Sequence, residues 1–260
     1  FGLSHKFGLR CKNMWTLGLT MWLFDRSRDA AIAGLRKKFA KMPDIAEANV
    51  AAINAGHAFG ETTELPAGIE IYQVPRAQVA PGLYRNITGS EALAYGLLAG
   101  GQLADLPIVF ASYPITPASS LLHTLSGQKH FEVVTFQAED EIAAVCAAIG
   151  ASFAGSLGIT SSSGPGISLK AEAISLACAV ELPLVIVNTQ RGGPSTGLPT
   201  KTEQSDLFQA IYGRHADTPL PVIATSTCSD CFEVAIEAVR LATKYRTPVI
   251  ILSDGYLANA

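Results

Sequence analysis

The chain has 260 residues, of which 48% are hydrophobic, and a formal net charge of −3. This length and composition allow a substantial buried core and one or two domains. The weak net charge gives no global basic field that would recruit nucleic acid. The apolar run Met14–Phe24 is too short to cross a bilayer, which needs about 20 residues, and no convincing signal-peptide cleavage site follows it. We therefore expect neither a nucleic acid nor a membrane as a partner.

The first 64 residues predict a mostly helical segment. Helical periodicity covers Trp15–Phe24, Arg28–Ala40 and Asp44–Gly56, and Gly56 is predicted to cap the third helix. Residues 65–84 carry several prolines and little helical periodicity, so they predict an extended linker.

From residue 85 to residue 260 strand and helix patterns alternate. Strands rich in valine and isoleucine with helices between them indicate an α/β fold in which a parallel sheet is covered on both faces. The predicted helices are Glu91–Gly101, Ala118–Leu125, Asp140–Ala154, Gly166–Ala179, Glu203–Tyr212 and Asp230–Tyr245. The predicted strands are Pro107–Ser112, Glu132–Phe136, Leu157–Ser161, Leu184–Thr189 and Pro248–Ser253, with one more inside Pro221–Ala224.

The five cysteines form no obvious disulfide framework. Cys146 and Cys178 fall in alanine-rich apolar helices, where we expect them to be buried and reduced, as in a cytoplasmic protein. Cys228 and Cys231 form a lone C-x-x-C pair with no second pair to complete a ligand set. We therefore predict no metal site on this chain.

The most informative stretch is the turn that follows the first predicted strand, Tyr113-Pro114-Ile115-Thr116-Pro117. Each of its two prolines fixes a backbone φ and biases the preceding residue away from helix. Thr116 is thus held on a stiff turn at the C-terminal end of a strand. Ligands bind at that edge in open α/β sheets.

Glu141 and Arg191 are the charged candidates near the same edge, and each has an ordinary alternative. Glu141 opens a helix made largely of small residues, which can approach a flat ring closely, but first-turn acids also simply complement the helix dipole. Arg191 follows a strand, where its guanidinium can hold a carboxylate in two parallel hydrogen bonds; otherwise it is a surface arginine in a glycine-rich loop.

The loop that contains Ser163, Gly164 and Gly166 leads into the N-terminus of a predicted helix. Backbone N–H groups at such a position bind anions. The same sequence also suits a tight turn between strand and helix, and the two interpretations stay open.

Six sequence motifs follow one another between residues 85 and 257. They are residues 85–94 (RNITGSEALA), 113–117 (YPITP), 137–141 (QAEDE), 160–166 (TSSSGPG), 190–197 (QRGGPSTG) and 252–257 (LSDGYL). In this order they resemble the α-subunit of the 2-oxoacid:ferredoxin oxidoreductases. The N-terminal residues also resemble the tail of that family's γ domain, through Lys12-Asn13-Met14 and Phe59-Gly60-Glu61-Thr62.

The resemblance implies a thiamine-diphosphate-binding domain of the pyrimidine type over residues 85–260, after the end of a γ-like domain in residues 1–64. It implies that Glu141 hydrogen-bonds the aminopyrimidine and controls its proton, and that the cofactor performs the carbanion chemistry. Tyr113, Pro114 and Ile115 match cofactor-binding positions. Thr116 and Arg191 match the residues that contact the substrate carboxylate.

The sequence lacks the motifs that would bind the diphosphate with Mg²⁺ and the iron–sulfur cluster. Thiamine enzymes hold the diphosphate and Mg²⁺ with a Gly-Asp-Gly motif, and only Ser253-Asp254-Gly255 comes near it. The family's cysteine cluster for a [4Fe–4S] centre is also missing from the sequence. The resemblance therefore implies a β-subunit that carries thiamine diphosphate, Mg²⁺ and the cluster, with coenzyme A as co-substrate and ferredoxin as electron acceptor.

The expected reaction is oxidative decarboxylation of a 2-oxoacid, and the fused γ-like segment favours 2-oxoglutarate, giving succinyl-CoA. The chain starts with Phe1 and ends just after a predicted strand, so we expect a piece of a longer subunit. Two alternatives remain: a subunit of a non-oxidative thiamine enzyme, either a decarboxylase or a synthase, or a non-catalytic α/β assembly subunit.

Overall fold

The computed structural model of the chain describes residues 5–63, 72–75 and 77–259. It divides into two compact units, Phe1–Leu83 and Tyr84–Ala260. Of the helices in the described ranges, none is long and apolar enough to span a membrane. The predicted linker, residues 65–84, lies partly outside the described residues.

The first unit is helical. Gly56 lies inside its last helix, and a side chain there would collide with the backbone carbonyl of Trp15 on another helix. The prediction that Gly56 caps its helix is therefore wrong: the residue allows two helices to approach closely, and the helix continues to Thr62. The helices in the described part of this unit are α1 (His5–Arg10), α2 (Lys12–Leu23), α3 (Asp29–Lys38) and α4 (Pro43–Thr62).

The second unit is built on a six-stranded, all-parallel sheet with the order β2-β1-β3-β4-β6-β5. The first helix, α5 (Gly89–Leu103), starts with a capping box, in which Thr88 accepts from the Glu91 N–H and Glu91 accepts from the Thr88 N–H. The strands are β1 (Ile108–Ser112), β2 (Val133–Gln137), β3 (Leu157–Ser162), β4 (Leu184–Gln190), β5 (Val222–Ala224) and β6 (Pro248–Asp254).

Helices cover both faces of this sheet. Along β4, Val185 and Val187 join the apolar cluster of one face, and Leu184 and Ile186 join the cluster of the other. This alternation is what a strand buried on both sides requires, and it confirms the predicted α/β class. The remaining helices are α6 (Ser119–Ser126), α7 (Glu141–Phe153), α8 (Pro165–Ala179), α9 (Leu207–Tyr212), α10 (Cys228–Tyr245) and α11 (Gly255–Asn259).

Two further predictions differ from the structure. The helix expected from Glu203 begins only at Leu207, because side-chain contacts hold the preceding residues: Glu203 accepts from the Gly193 N–H, 3.0 Å away. The expected burial of both helical cysteines is also wrong. Cys146 is exposed, since the helical period turns Val145 and Ile149 inward and Cys146 outward, and Cys178 is only half-buried.

Candidate functional site

The site is placed by the order of the strands. β1 connects to β2 on one side, and the chain then returns to put β3 on the other side of β1. Such a reversal leaves a crevice at the carboxyl edge of an open sheet, between the loops that leave the two strands. The turn after Ser112 and the loop after Ser162 flank this crevice, and Arg191 follows the neighbouring strand β4.

The turn after β1 is fixed to the start of α6. The Ile115 N–H donates to Ser119 Oγ at 3.1 Å, and the Ser119 N–H donates back to the Ile115 carbonyl at 3.0 Å. Tyr113 and Ile115 are half-buried, while Pro114 and Thr116 are exposed. The stiff turn predicted from the prolines is therefore also held by hydrogen bonds.

Arg191 is buried, with 6% of its surface exposed, so it is not a surface arginine. Its Nη1 donates to the Thr116 carbonyl at 2.6 Å and its Nη2 to the Thr196 carbonyl at 3.0 Å. Its Nε is buried and has no hydrogen-bond partner among the described residues. Two loops thus orient the guanidinium and leave its Nε–H without a partner among the described residues.

Arg191 and Thr116 meet through the threonine's backbone, and their side chains line two different cavities of about 360 Å³ each. Lys201 lies beside Thr116 in one of them. The cavity beside Arg191 is lined by residues of the loops after β3 and β4 and of α8 and α9, including Gly164, Ser168, Ser195, Asp206 and Gln209.

Glu141 is the first residue of α7, whose N-terminus is capped by Asp140: its Oδ1 accepts from the Ala143 N–H at 2.7 Å. The Glu141 side chain lies against Gly166, where an added methyl group would be 3.1 Å from Glu141 Oε1 and would overlap Ser162 Oγ. Glycine is therefore required at residue 166 for this close approach. Gly164, earlier in the same loop, lines a cavity together with Arg191, so residues 163–166 lie between Glu141 and Arg191.

The loop itself has the features of a tight turn and of a polar pocket. Gly164 has a φ of 35°, in the region that favours glycine, and Pro165 begins α8. The Oγ atoms of Ser162 and Ser163 are buried without a hydrogen-bond partner in the described part of the chain. Buried hydroxyls of this kind are normally hydrogen-bonded, so they offer bonding capacity to a ligand.

Sequence reasoning missed Lys170, which is fully buried in α8. Its Nζ donates to Thr160 Oγ1 at 2.8 Å. Burial lowers the pKa of Lys170 to about 8, and the negative charge of Glu141 is the largest of the nearby charges that oppose this shift. The sequence feature that could have identified Lys170 is its position one helical turn after Gly166.

The C-x-x-C pair and the Ser-Asp-Gly motif have structural explanations. Cys231 is buried, which raises the pKa of its thiol to about 11 and keeps it protonated. Asp254 Oδ1 accepts from the Tyr256 and Leu257 N–H groups, and its Oδ2 accepts from Gln204 Nε2 at 2.6 Å. Within the ranges that the structure describes, no three histidine, cysteine or acidic side chains converge on a metal position.

The fold and the site define a class: an open parallel α/β domain with a carboxylate, an arginine and a glycine-rich loop at the carboxyl edge of adjacent strands. A family profile described as "Pyruvate flavodoxin/ferredoxin oxidoreductase, thiamine diP-bdg" matches residues 101–260. The chain belongs to this family of pyruvate flavodoxin/ferredoxin oxidoreductases, through its thiamine-diphosphate-binding domain.

Individual relatives agree with this assignment. The chain is 58% identical over 258 residues to the "2-oxoglutarate oxidoreductase subunit KorA" of Mycobacterium tuberculosis, covering 99% of this chain and 39% of the relative. It is 44% identical over 174 residues to the "2-oxoglutarate synthase subunit KorA" of Archaeoglobus fulgidus, covering 66% of this chain and 49% of the relative.

A solved structure is also similar: "2-oxoglutarate:ferredoxin oxidoreductase from Magnetococcus marinus with 2-oxoglutarate, coenzyme A and succinyl-CoA bound". It has a TM-score of 0.81 and 38% identity, over 96% of this chain and 42% of that one. The chain thus spans 39–49% of the length of these relatives. The family and the fold predicted from the motifs are confirmed.

Proposed function

We propose that this chain forms the pyrimidine-binding half of a thiamine diphosphate site in a 2-oxoacid:ferredoxin oxidoreductase. The reaction is the coenzyme A-dependent oxidative decarboxylation of 2-oxoglutarate to succinyl-CoA, with electrons passed to ferredoxin. The observation that carries the proposal is the contact of Glu141 with Gly166 at the same sheet edge as Arg191. The names of the relatives, which refer to 2-oxoglutarate, support the choice of substrate.

The residues around Glu141 fit a flat, polar ring. A half-buried carboxylate faces a residue without a side chain, and the Ser162 hydroxyl beside it has no partner among the described residues. Thiamine diphosphate, when bound, supplies the carbanion chemistry. Glu141 would then hold and exchange the proton of the aminopyrimidine nitrogen, and Tyr113, Pro114 and Ile115 would help to bind the cofactor.

Arg191 supplies the binding site for the substrate carboxylate. Its guanidinium is oriented by the Thr116 and Thr196 carbonyls, and its Nε stays unused by the described residues. The cavity beside it has room for a small dicarboxylate, and Gly164 lies at its wall. Ser163 Oγ, which has no partner among the described residues, gives a further donor to an anion, whereas the Gly166 and Ile167 N–H groups already donate to the Ser163 and Gly164 carbonyls. Thr116 contributes its carbonyl, which orients the guanidinium, and its side chain lines the neighbouring cavity.

The remaining chemistry belongs to a partner. The relatives are named as subunits, and both carboxylate oxygens of Asp254, in the motif nearest to Gly-Asp-Gly, already accept hydrogen bonds within the chain. A β-subunit would carry the diphosphate, Mg²⁺ and a [4Fe–4S] cluster, and the assembled enzyme would act in the cytoplasm.

The test is an assay of the assembled subunits. Purified enzyme with thiamine diphosphate, Mg²⁺, 2-oxoglutarate and coenzyme A is expected to reduce ferredoxin and to form succinyl-CoA, with weaker activity on pyruvate. Carbon dioxide release without any electron acceptor would contradict the proposal and favour the non-oxidative alternative. No turnover of any 2-oxoacid, with intact assembly, would favour a non-catalytic subunit.

A further inference from the structure

Lys170 is a fully buried lysine for which the proposed function gives no role. An ammonium group in the interior of a protein is costly unless hydrogen bonds and opposite charge surround it. Its hydrogen bond from Nζ to Thr160 Oγ1, at 2.8 Å, satisfies a donor but supplies no negative charge. The position therefore requires an explanation in terms of nearby charge.

Two separate paths lead from Lys170 to Glu141. Along α8, Lys170 follows Gly166 by one helical turn, so the two residues share a helix face. Along β3, Thr160 precedes Ser162 by two residues, so their side chains point to the same face of the sheet. Gly166 and Ser162 contact each other, and Glu141 lies against Gly166. Both paths thus end beside the Glu141 carboxylate.

The electrostatics agree with this placement. Burial lowers the pKa of Lys170 to about 8, and three groups oppose the shift, Glu141 most strongly and then Cys146 and Asp140. All three lie at or near the start of α7, the helix that packs on α8. The contact from β3 is the neutral Thr160. Glu141 is the main opposite charge for the ammonium.

We propose that Lys170 is a positioning residue that places a positive charge beneath the Glu141 carboxylate. Charges inside a protein interact much more strongly than charges in water. The negative Glu141 carboxylate would accept a hydrogen bond from the protonated ring nitrogen of a bound aminopyrimidine, and the ammonium of Lys170 would stabilise that carboxylate. The inference rests on the proposed function of Glu141.

The first test needs no cofactor. Glu141→Gln, Lys170→Met and the double variant are melted in the subunit without thiamine diphosphate. Each single variant leaves one charge without its partner, either the buried Lys170 ammonium or the half-buried Glu141 carboxylate, whereas the double variant removes both charges. The double variant should therefore melt at least about 2 °C above the temperature that additive effects predict. Additive shifts would overturn the proposed pairing.

The second test uses the assembled enzyme loaded with thiamine diphosphate. Hydrogen–deuterium exchange at C2 should slow at least about tenfold in Lys170→Met at pH 7, while the Kd for the cofactor changes less than about threefold. Lys170→Gln, which keeps a donor for Thr160 but carries no charge, should be equally slow. Lys129→Met, at an exposed lysine of the same unit, is the matched control and should exchange like wild type.

The pH dependence gives a measurement that a packing role would not change. The ratio of the wild-type and Lys170→Gln exchange rates should fall toward one as the pH is raised through about 8, where wild-type Lys170 loses its proton. Exchange restored by glutamine, or a ratio constant with pH, would overturn the proposal. If neither variant assembles, the wild-type enzyme alone still gives a test. Its C2 exchange rate, divided by the hydroxide concentration, must fall as the pH is raised through about 8, because Lys170 then loses its charge.

The two proposals fail in different ways. A wild-type assembly that binds no thiamine diphosphate would contradict the proposed function. The melting temperatures of the single and double variants would still measure the interaction between Lys170 and Glu141. Normal exchange in wild type and in both Lys170 variants contradicts only the role of Lys170.

Discussion

The two faces of the central sheet differ in what their helices bury. On the face covered by α5 and α10, the side chains that meet are apolar, as with Leu97, Phe110 and Val239. The opposite face also has an apolar centre, with Val145 and Ile186, but toward the carboxyl edge its helices α7 and α8 enclose Lys170. One face therefore mainly stabilises the fold.

The polar side chains at the carboxyl end of the second face are unfavourable for stability. Ser162, Ser163 and Lys170 are buried where apolar side chains would pack at lower cost. Unfavourable buried polar groups of this kind concentrate at functional sites. The comparison predicts that changes on the apolar face alter stability, whereas changes at the polar edge alter cofactor and substrate handling.

The largest expected effect is at the polar edge. Glu141→Gln should slow C2 exchange of bound thiamine diphosphate about 100- to 10,000-fold, because an amide cannot take up or release the ring proton. The melting temperature should stay within a few degrees of wild type. Glu172→Gln, at an exposed acid of α8, is the control and should exchange normally. An unchanged rate in the Glu141→Gln variant would reduce Glu141 to a helix-dipole residue.

The apolar face should respond in stability. Phe110→Ala removes a fully buried ring from the cluster beneath α5 and α10, and should lower the free energy of unfolding by about 3–5 kcal/mol. Denaturant unfolding gives the loss, and the thiamine diphosphate Kd of the protein that remains folded should match wild type. A weakened Kd at equal folded fraction would mean that the two faces are not independent.

Lys170 should make the free energy of unfolding increase as the pH rises in the alkaline range. Its pKa is lowered in the folded state, from 10.5 to about 8, so between these values the unfolded chain binds more protons. Stability contributed by this group therefore rises with pH across the window, by up to about 3 kcal/mol. The difference in unfolding free energy between wild type and Lys170→Met should change by that amount from pH 8 to pH 10.5. A constant difference would mean that the ammonium is not desolvated.

Arg191→Lys should raise KM for the 2-oxoacid about tenfold or more, with little change in cofactor affinity. Lysine keeps the charge but loses the planar fork that bonds the Thr116 and Thr196 carbonyls, and a charge-assisted bond is worth about 1.5–3 kcal/mol. Thr116→Val should act in the same direction, more weakly. Arg240→Lys, on the exposed side of α10, serves as the control. Wild-type kinetics in the Arg191→Lys variant would place the carboxylate elsewhere.

The smallest effect separates the two kinds of glycine around α7. Nothing lies within 4 Å of a methyl group added at Gly150, so Gly150→Ala should stabilise the chain by about 0.5–1 kcal/mol. Gly166→Ala, in contrast, forces a methyl group against Ser162 and Glu141 and should weaken thiamine diphosphate binding. Equal binding by the two variants would show that the Glu141–Gly166 contact is not part of the site.

The sequence by itself was enough for the class of fold and for the candidate loops. Strand runs of valine and isoleucine separated by helical patterns specify a parallel sheet, because only strands covered on both faces read as continuously apolar. The prolines around Thr116 and the position of Arg191 after β4 placed both residues at the carboxyl edge, since parallel strands all end there.

Only the tertiary structure decided which of these residues touch. Gly56 reads as a helix end, yet it lies mid-helix because α2 packs against it, and no local pattern records the approach of a distant segment. The contacts of Arg191 with two carbonyls and the burial of Lys170 near Glu141 depend in the same way on strand order. Local propensity sets the elements, whereas the charges and close approaches that make the site arise between elements far apart in the chain.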